Sequence, residues 1–292
     1  MSKIKVSEMW AGLQGEGRYA GVPSLFLRTF GCSLRCPGFG RTHGETGPNA
    51  EVQAIIARLD EYKGKQLNDL PLVRTGCDTY AAVYPEFKEF SPFVEVGELA
   101  KRIVAALPDG KFHKDQHFVI TGGEPLLPGW QKQYPALITA LQDLGAIGST
   151  RDFHITFETN GTQALDEKAM AFVSANSTLH FSVSPKLAAS GEAREDAIHP
   201  DLVLSYLRYG VVDFKFVVGN EADVQEVLDV LKSDFCYTWK GHNFGSVFLM
   251  PVGGLNEDYA DTAPIVADLA IKYGLRFSPR LQNQLYSNNW GT

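Results

Sequence analysis

Apolar and polar positions follow two periods along the chain. Short β-type runs at 24–30 (SLFLRTF), 117–125 (HFVITGGEP), 152–161 (DFHITFETNG), 179–186 (LHFSVSPK), 213–219 (DFKFVVG), 246–254 (SVFLMPVGG) and 275–281 (LRFSPRL) predict strands. Runs with one apolar face at 96–107, 135–145, 165–175, 221–232 and 262–274 predict helices between them. Strand–helix alternation implies parallel pairing, and about six such units predict an α/β fold, a partial or full (β/α) barrel rather than an open sheet. In that architecture the residues just after each strand face the site. The glycine and polar signals TGGEP, ETNG, SPK and MPVGG all fall there. Residues 41–76 break the rhythm. Within them Val52, Ile55, Ile56 and Leu59 recur at helical spacing, which predicts an inserted, folded helical segment rather than a linker. No repeat or domain boundary interrupts the chain, so 1–292 reads as a single domain.

With 44% hydrophobic and 21% charged residues among 292, the chain can bury a core without disulfides. A net charge of −7 argues against a broad nucleic-acid surface but leaves room for a small basic pocket. The start, MSKIKVSEMW, has no apolar signal core, and no run reaches the ~18 apolar residues of a membrane helix. The expectation is a cytoplasmic protein, where clustered cysteines bind metal or do chemistry more often than they form disulfides. The cysteines are Cys32, Cys36, Cys77 and Cys236. Cys32 and Cys36 follow a strand in a glycine-rich loop, four apart, but Phe39 stands where a third ligand would follow. Three thiolates on a 4Fe–4S cube leave one iron open for another ligand. Cys77, between Gly76 and a polar pair, is the better candidate for the third thiolate. Cys236, among apolar neighbours, reads as a core thiol. The alternative is that all four are buried small residues.

Taken in order, GCSLRC…GCDTY, ITGGEP, FETNG and SVSPK resemble the radical S-adenosylmethionine enzymes. With LQGEG at 13–17 and FLRTFGC before Cys32, the chain is most similar to the 7-carboxy-7-deazaguanine synthase family among them. The resemblance spans most of the chain apart from 41–76. The insertion separates the second and third cluster ligands, yet the family's Cys-Asp-Thr tripeptide stands intact as Cys77, Asp78 and Thr79. Closing a loop across such an insertion costs little, because the penalty grows only logarithmically with length.

The resemblance implies a radical S-adenosylmethionine-type partial barrel and a cluster on Cys32, Cys36 and Cys77. It implies S-adenosylmethionine held by Gly76, Asp78, Gly122, Gly123, Glu124, Glu158, Asn160, Ser184, Pro185, Lys186, Met250, Pro251, Val252 and Gly253. Glu124 would meet the cofactor's ammonium, Glu158 its ribose hydroxyls and Lys186 its carboxylate. A pterin would lie against Leu13, Gln14, Gly15, Glu16, Arg28, Thr121 and Gln282, with Mg²⁺ on Thr79. The chemistry suits these types: Glu16 accepts from a guanine-like edge, Arg28 holds a carboxylate in two bonds, and Mg²⁺ takes hard oxygens. Each position also has a plainer reading, namely a capped turn at Asn160-Gly161, a solvated charge at Lys186, an N-cap at Asp78 or Thr79, a surface ion pair at Arg28. Met250 and Gln282 depart from the family, which has a glutamine and often a histidine there. The seven histidines, at 43, 113, 117, 154, 180, 199 and 242, show no ligand spacing and read as surface or capping residues.

The implied activity is radical conversion of 6-carboxy-5,6,7,8-tetrahydropterin to 7-carboxy-7-deazaguanine with loss of ammonia. An electron donor such as a flavodoxin and a homodimer would accompany it; nucleic acid and membrane would not. The rival readings are another radical S-adenosylmethionine enzyme, such as an activase of glycyl-radical proteins, and a zinc-stabilised binding protein.

Overall fold

The computed structural model describes residues 2–42, 45, 47–148, 152–235 and 245–292. Among the described residues nine strands are present: β1 (Lys3–Leu13), β2 (Pro23–Thr29), β3 (Phe93–Glu95), β4 (His117–Gly122), β5 (His154–Thr159), β6 (Thr178–Val183), β7 (Val211–Val218), β8 (Val247–Pro251) and β9 (Arg276–Phe277). They form one sheet in the order β3-β1-β2-β4-β5-β6-β7-β8-β9. From β2 to β9 every pairing is parallel, and β1 joins β2 and β3 antiparallel. The outermost strands do not pair with each other, so the barrel is open.

Each expected strand and helix is present, with ends shifted by a few residues. The last strand is shorter than its pattern: it stops at Phe277, and Leu281–Tyr286 is helical. Strand β1 carries no turn signal and mixes charged with apolar residues. It is set by its tertiary pairing, Trp10 against Phe26 and Glu8 against Arg28, at one edge of the parallel core.

The period of two sorts the strands into two faces. On β7, Val212, Phe214, Phe216 and Val218 join the main apolar core, while Asp213, Lys215 and Val217 point to the other face. On β4, β5 and β6 the same rule sends Thr121, Glu158 and Ser182 to a shared inner surface. The sheet thus buries one apolar side under helices and gives the other side polar chemistry.

At the strand starts this inner surface holds His117, His154 and His180 with Tyr19. The rings of His117 and His154 stack at 4.8 Å, and Tyr19 meets His117 and His180 edge-on at 4.4 and 5.0 Å. Two of the histidines expected at the surface or in caps, His117 and His180, are therefore buried. His113 is exposed, His199 caps the helix Pro200–Tyr206, and 43 and 242 lie outside the described residues. Burial first, then the neighbouring histidines, lowers the His117 pKa from 6.5 to about 4. Its contribution to stability is complete above the ordinary value and is lost as pH falls from 6.5 toward 4, up to roughly 3 kcal/mol. Denaturant midpoints at pH 7 and pH 5 should move apart more in the wild type than in His117→Phe.

The insertion has its own small core. Val52, Ile55, Leu67, Leu70 and Val73 pack on Tyr80, Tyr84 and Phe87, with Ile56, Leu59 and Trp290 alongside. The expected helix is Ala50–Ala57, capped by Asn49, followed by a tight turn at Leu59–Tyr62. Trp290 of the tail donates to Leu70 O at 2.9 Å, so the insertion also seats the C-terminal segment.

Candidate active site

The insertion returns to the point where it left. Gly76 N donates to Phe39 O at 2.7 Å, which brings Cys77 back beside the loop carrying Cys32 and Cys36. Gly76 has φ +78, and a Cβ there would lie 2.6 Å from Asn49 Nδ2, so glycine is required. Asn49 and Glu51 clamp the returning strand: Asn49 Nδ2 donates to Thr75 Oγ1 at 2.9 Å, and Thr75 N and Oγ1 donate to Glu51 at 3.0 and 2.6 Å. Glu192 accepts from Arg35 N at 2.6 Å and from Cys36 N, supporting the positive φ of Cys36.

Cys32, Cys36 and Cys77 pack together with Leu34 and Phe39 and line one cavity. Burial pushes all three thiols up, Cys32 to about 12; Cys77 adds to the rise at Cys32, and Cys77 and Cys32 add to that at Cys36. Three largely desolvated thiols around one space suit a group that draws off their protons on binding. Among the described residues, no three His, Cys, Asp or Glu side chains converge closely enough for a single metal ion. Three cysteine thiols at one cavity are the type of donor set that holds an iron–sulfur cluster. Cys236 lies outside the described residues.

Next to the thiols, Gly123 fits where nothing larger can: a Cβ would be 2.3 Å from Gly31 O and 2.8 Å from Cys32 Cβ. Asn160 Nδ2 reaches Ser33 Oγ at 3.0 Å and Cys32 Sγ at 3.6 Å, while its Oδ1 accepts from Thr162 N at 3.0 Å. The turn and the site contact coexist. Lys186 Nζ donates to Ser184 Oγ at 2.9 Å and lies over the Phe39 ring. Thr79 Oγ1 is 3.3 Å from Cys77 Sγ.

Across the cavity, the turn after β1 brings Gln14 and Glu16 inward. Gln14 Nε2 donates to Glu158 Oε1 at 3.0 Å, and Glu16 N donates to Gln14 Oε1 at 3.0 Å. Glu16 is ion-paired with Lys215 and Arg280 and accepts from Gln282 Nε2 at 2.6 Å. Burial raises its pKa, but Lys215 and Arg280 outweigh that and hold it at about 2. Burial likewise opposes the charge on Lys215, yet Glu16 and Glu158 raise its pKa. Arg280 bridges Glu16 and Asp78, tying this end to the cysteine tripeptide. Arg28 pairs with Glu8 at 2.7 Å and stands 5.0 Å from the Trp10 ring. Four buried polar atoms here, Glu8 Oε1, Trp10 Nε1, Arg280 Nε and Gln282 Oε1, have no hydrogen-bond partner among the described residues. Such a concentration of unsatisfied groups is expected where a polar ligand completes the bonding.

Leu13, Gln14, Gly15, Glu16, Arg28, Gly76, Asp78, Thr79, Thr121, Gly123, Glu158, Asn160, Ser184, Lys186, Met250, Val252, Gly253 and Gln282 all line the same cavity as the cysteines. Gly122, Pro185 and Pro251 support the wall without lining it. Glu124 is placed differently from the role expected for it. It is fully buried, and its oxygens accept from Leu126 N, Thr159 Oγ1 and Asn160 N, each at 2.8 Å. Burial raises its pKa to about 7. It pins the end of β5 under the site rather than facing a ligand. Glu158 accepts from Gln14 and so stands beside the turn after β1. Lys215, Arg280 and Trp10 were missed from the sequence. The alternation in DFKFVV did mark Lys215 as inward-facing; Arg280 and Trp10 had no such signal.

The result is a mostly parallel, open α/β sheet with three cysteines gathered at the carboxyl end of its strands. The chain is similar to the 7-carboxy-7-deazaguanine synthases of Halobacterium salinarum (29% identity over 98% of this chain and 91% of the relative) and Pyrobaculum aerophilum (28%, 99% and 97%). The enzyme of that name from Rhodopirellula baltica is 25% identical over 100% of this chain and 90% of its own. The chain is thus similar along nearly its whole length to several proteins named 7-carboxy-7-deazaguanine synthase. The crystal structure of QueE from Escherichia coli shares the fold with a TM-score of 0.52 at 20% identity, covering 95% of this chain and 94% of that one. No family model matches the chain.

Proposed function

We propose that this protein is a radical S-adenosylmethionine lyase that converts 6-carboxy-5,6,7,8-tetrahydropterin to 7-carboxy-7-deazaguanine with loss of ammonia. The observation that carries the reading is one cavity with three thiols at one end and the Gln14–Glu16–Lys215 arrangement at the other. The relatives' shared name supports the particular reaction.

Cys32, Cys36 and Cys77 would hold a 4Fe–4S cluster, which together with S-adenosylmethionine would supply radical chemistry to the substrate. Gly123, Asn160, Ser184 and Lys186 hold the cofactor; Gly123 lets it approach the backbone, and Lys186 meets its carboxylate. Met250 and Val252 give the wall an apolar stretch, with Gly253 beside them. Glu16, fixed as a carboxylate, accepts from the amine edge of the pterin, and Gln14 offers both donor and acceptor. Arg28, with its Nε committed to Glu8, turns its remaining nitrogens to the substrate carboxylate. Thr79, whose hydroxyl lines the cavity, would offer Mg²⁺ a hard oxygen ligand. Gln282 fixes Glu16 and moves no proton. A flavodoxin-type donor, a homodimer and a cytoplasmic setting accompany the reading. In keeping with it, no described helix is long and apolar enough to cross a membrane.

The test is anaerobic. Reconstituted protein with a strong reductant, S-adenosylmethionine and the carboxypterin should yield 7-carboxy-7-deazaguanine, and removing Mg²⁺ should slow turnover. Cofactor cleavage with the pterin untouched would mean a different radical enzyme. Zinc in place of iron would mean a binding protein.

A further inference from the structure

The turn after β1 and the inner face of β7 carry matched charges at the same spacing. The turn presents Glu16 and then Arg18; the strand presents Lys215 and, two residues before it, Asp213. Lys215 holds Glu16, and Asp213 holds Arg18 in two parallel bonds, Nε to Oδ2 at 2.6 Å and Nη2 to Oδ1 at 2.7 Å. The first pair lines the cavity; the second does not. We propose that the Arg18–Asp213 pair is a positioning device that fixes the register of the turn and so the placement of Gln14 and Glu16 against the pterin. This rests on the pterin reading above.

The geometry makes Asp213 a rigid anchor. Its side chain is 3% exposed. Besides Arg18 it accepts from Ser246 N at 2.5 Å, and His180 Nε2 lies 2.9 Å from its Oδ2. Gly245 backs it so closely that a Cβ there would sit 1.9 Å from Oδ1. A carboxylate held on every side cannot follow a moving turn. The turn itself pivots at Gly17, with φ +66, and its far side is wedged by Tyr19 between His117 and His180. With Arg18 released, the turn would keep Glu16 on Lys215, the Gly17 N bond to Ser278 Oγ, the Gly15 O bond from Leu281 N and the Gln14 bond to Glu158, but would lose its two-bond hold on Asp213. A single charged pair fixes a point; two pairs of opposite polarity two residues apart also fix a direction. A shift by one or two residues would oppose like charges or leave one group buried without a partner, which is strongly disfavoured.

Arg18→Met keeps the stem and removes the fork. In the reconstituted holoenzyme the KM for the carboxypterin should rise ~10- to 100-fold, the scale of losing charge-assisted bonds, with kcat within about threefold. Iron content and cleavage of S-adenosylmethionine without pterin should stay at wild-type levels, and Arg18→Lys should recover part of the KM. Amide hydrogen exchange should quicken across 14–22 and remain unchanged in β4 and β5. Unchanged KM and exchange in Arg18→Met would overturn the proposal. So would iron, kcat and melting temperature falling together, since that is the mark of a merely structural pair. If the wild type cleaves the cofactor but leaves the pterin intact, the functional reading has failed. Exchange across 14–22 then decides the lock alone: faster in Arg18→Met supports it, and no change overturns it.

Discussion

Cys77→Ala is expected to fold and yet hold no 4Fe–4S cluster after anaerobic reconstitution, with turnover at the assay background, while Cys236→Ala keeps both iron and activity. The fold should survive because the insertion is closed by bonds that do not use the thiol. Gly76 N on Phe39 O, and the Thr75 contacts to Asn49 and Glu51, stay in place. Removing one sulfur from a partly buried site costs on the order of 1 kcal/mol, too little to unfold a domain of this size. The cluster, by contrast, loses one of three thiolates, and no other described Cys stands in the cavity to replace it. Iron content, absorption spectrum and melting temperature separate the two effects. Iron retained in Cys77→Ala and lost in Cys236→Ala would reverse the ligand assignment.

Lys215→Met is expected to lower kcat/KM for the carboxypterin about 10²- to 10³-fold while leaving the cluster and basal cofactor cleavage in place. Lys215 is 5% exposed and faces two carboxylates, Glu16 and Glu158. Deleting Lys215 removes the ion-pair partner that holds Glu16 on the β7 side, and a loss of about 3–4 kcal/mol in transition-state binding corresponds to 10²- to 10³-fold, at roughly tenfold per 1.4 kcal/mol. Arg280 and Gln282 still reach Glu16, so the turn would be pulled toward the C-terminal segment and away from β7. The double variant Lys215→Met/Glu16→Gln should recover stability, because neither partner is then a buried lone charge. It should not recover activity, because the pterin has lost the carboxylate that reads its amine edge. Recovery of activity in the double variant would show that the pair only supports the fold.

Much of the site is legible in the order of residues, for a local reason. Strand–helix alternation fixes parallel pairing, and parallel pairing puts the ends of all the strands at one rim. Short motifs far apart in the chain, such as TGGEP, ETNG and SPK, must then meet there. Glycines were informative where backbone crowding demands them, at Gly76 and Gly123. The insertion helix was legible because Val52, Ile55, Ile56 and Leu59 share a face that needed something to cover.

What misled was residue type without context. Glu124 lies in the right motif, but the first turn after β4 folds inward and spends its carboxylate on backbone donors, Leu126 N in the same turn and Asn160 N just past β5. His117 and His180 carry no pattern of their own. They are buried because they occupy inward positions near the strand starts, where Tyr19 and Asp213 give them partners.

The chain's own order of residues determined the alternating α/β layout, the cysteine tripeptide after the detour, and which motifs would stand at the rim. Those follow from periodicity and spacing, which are properties of neighbours in sequence. Tertiary structure alone decided that Gly76 returns to Phe39, that Lys215 and Arg280 converge on Glu16, and that β7 grips the turn at two points. Each of these joins residues from distant segments, and the energy of a buried charge depends on who surrounds it in space rather than on who precedes it in the chain.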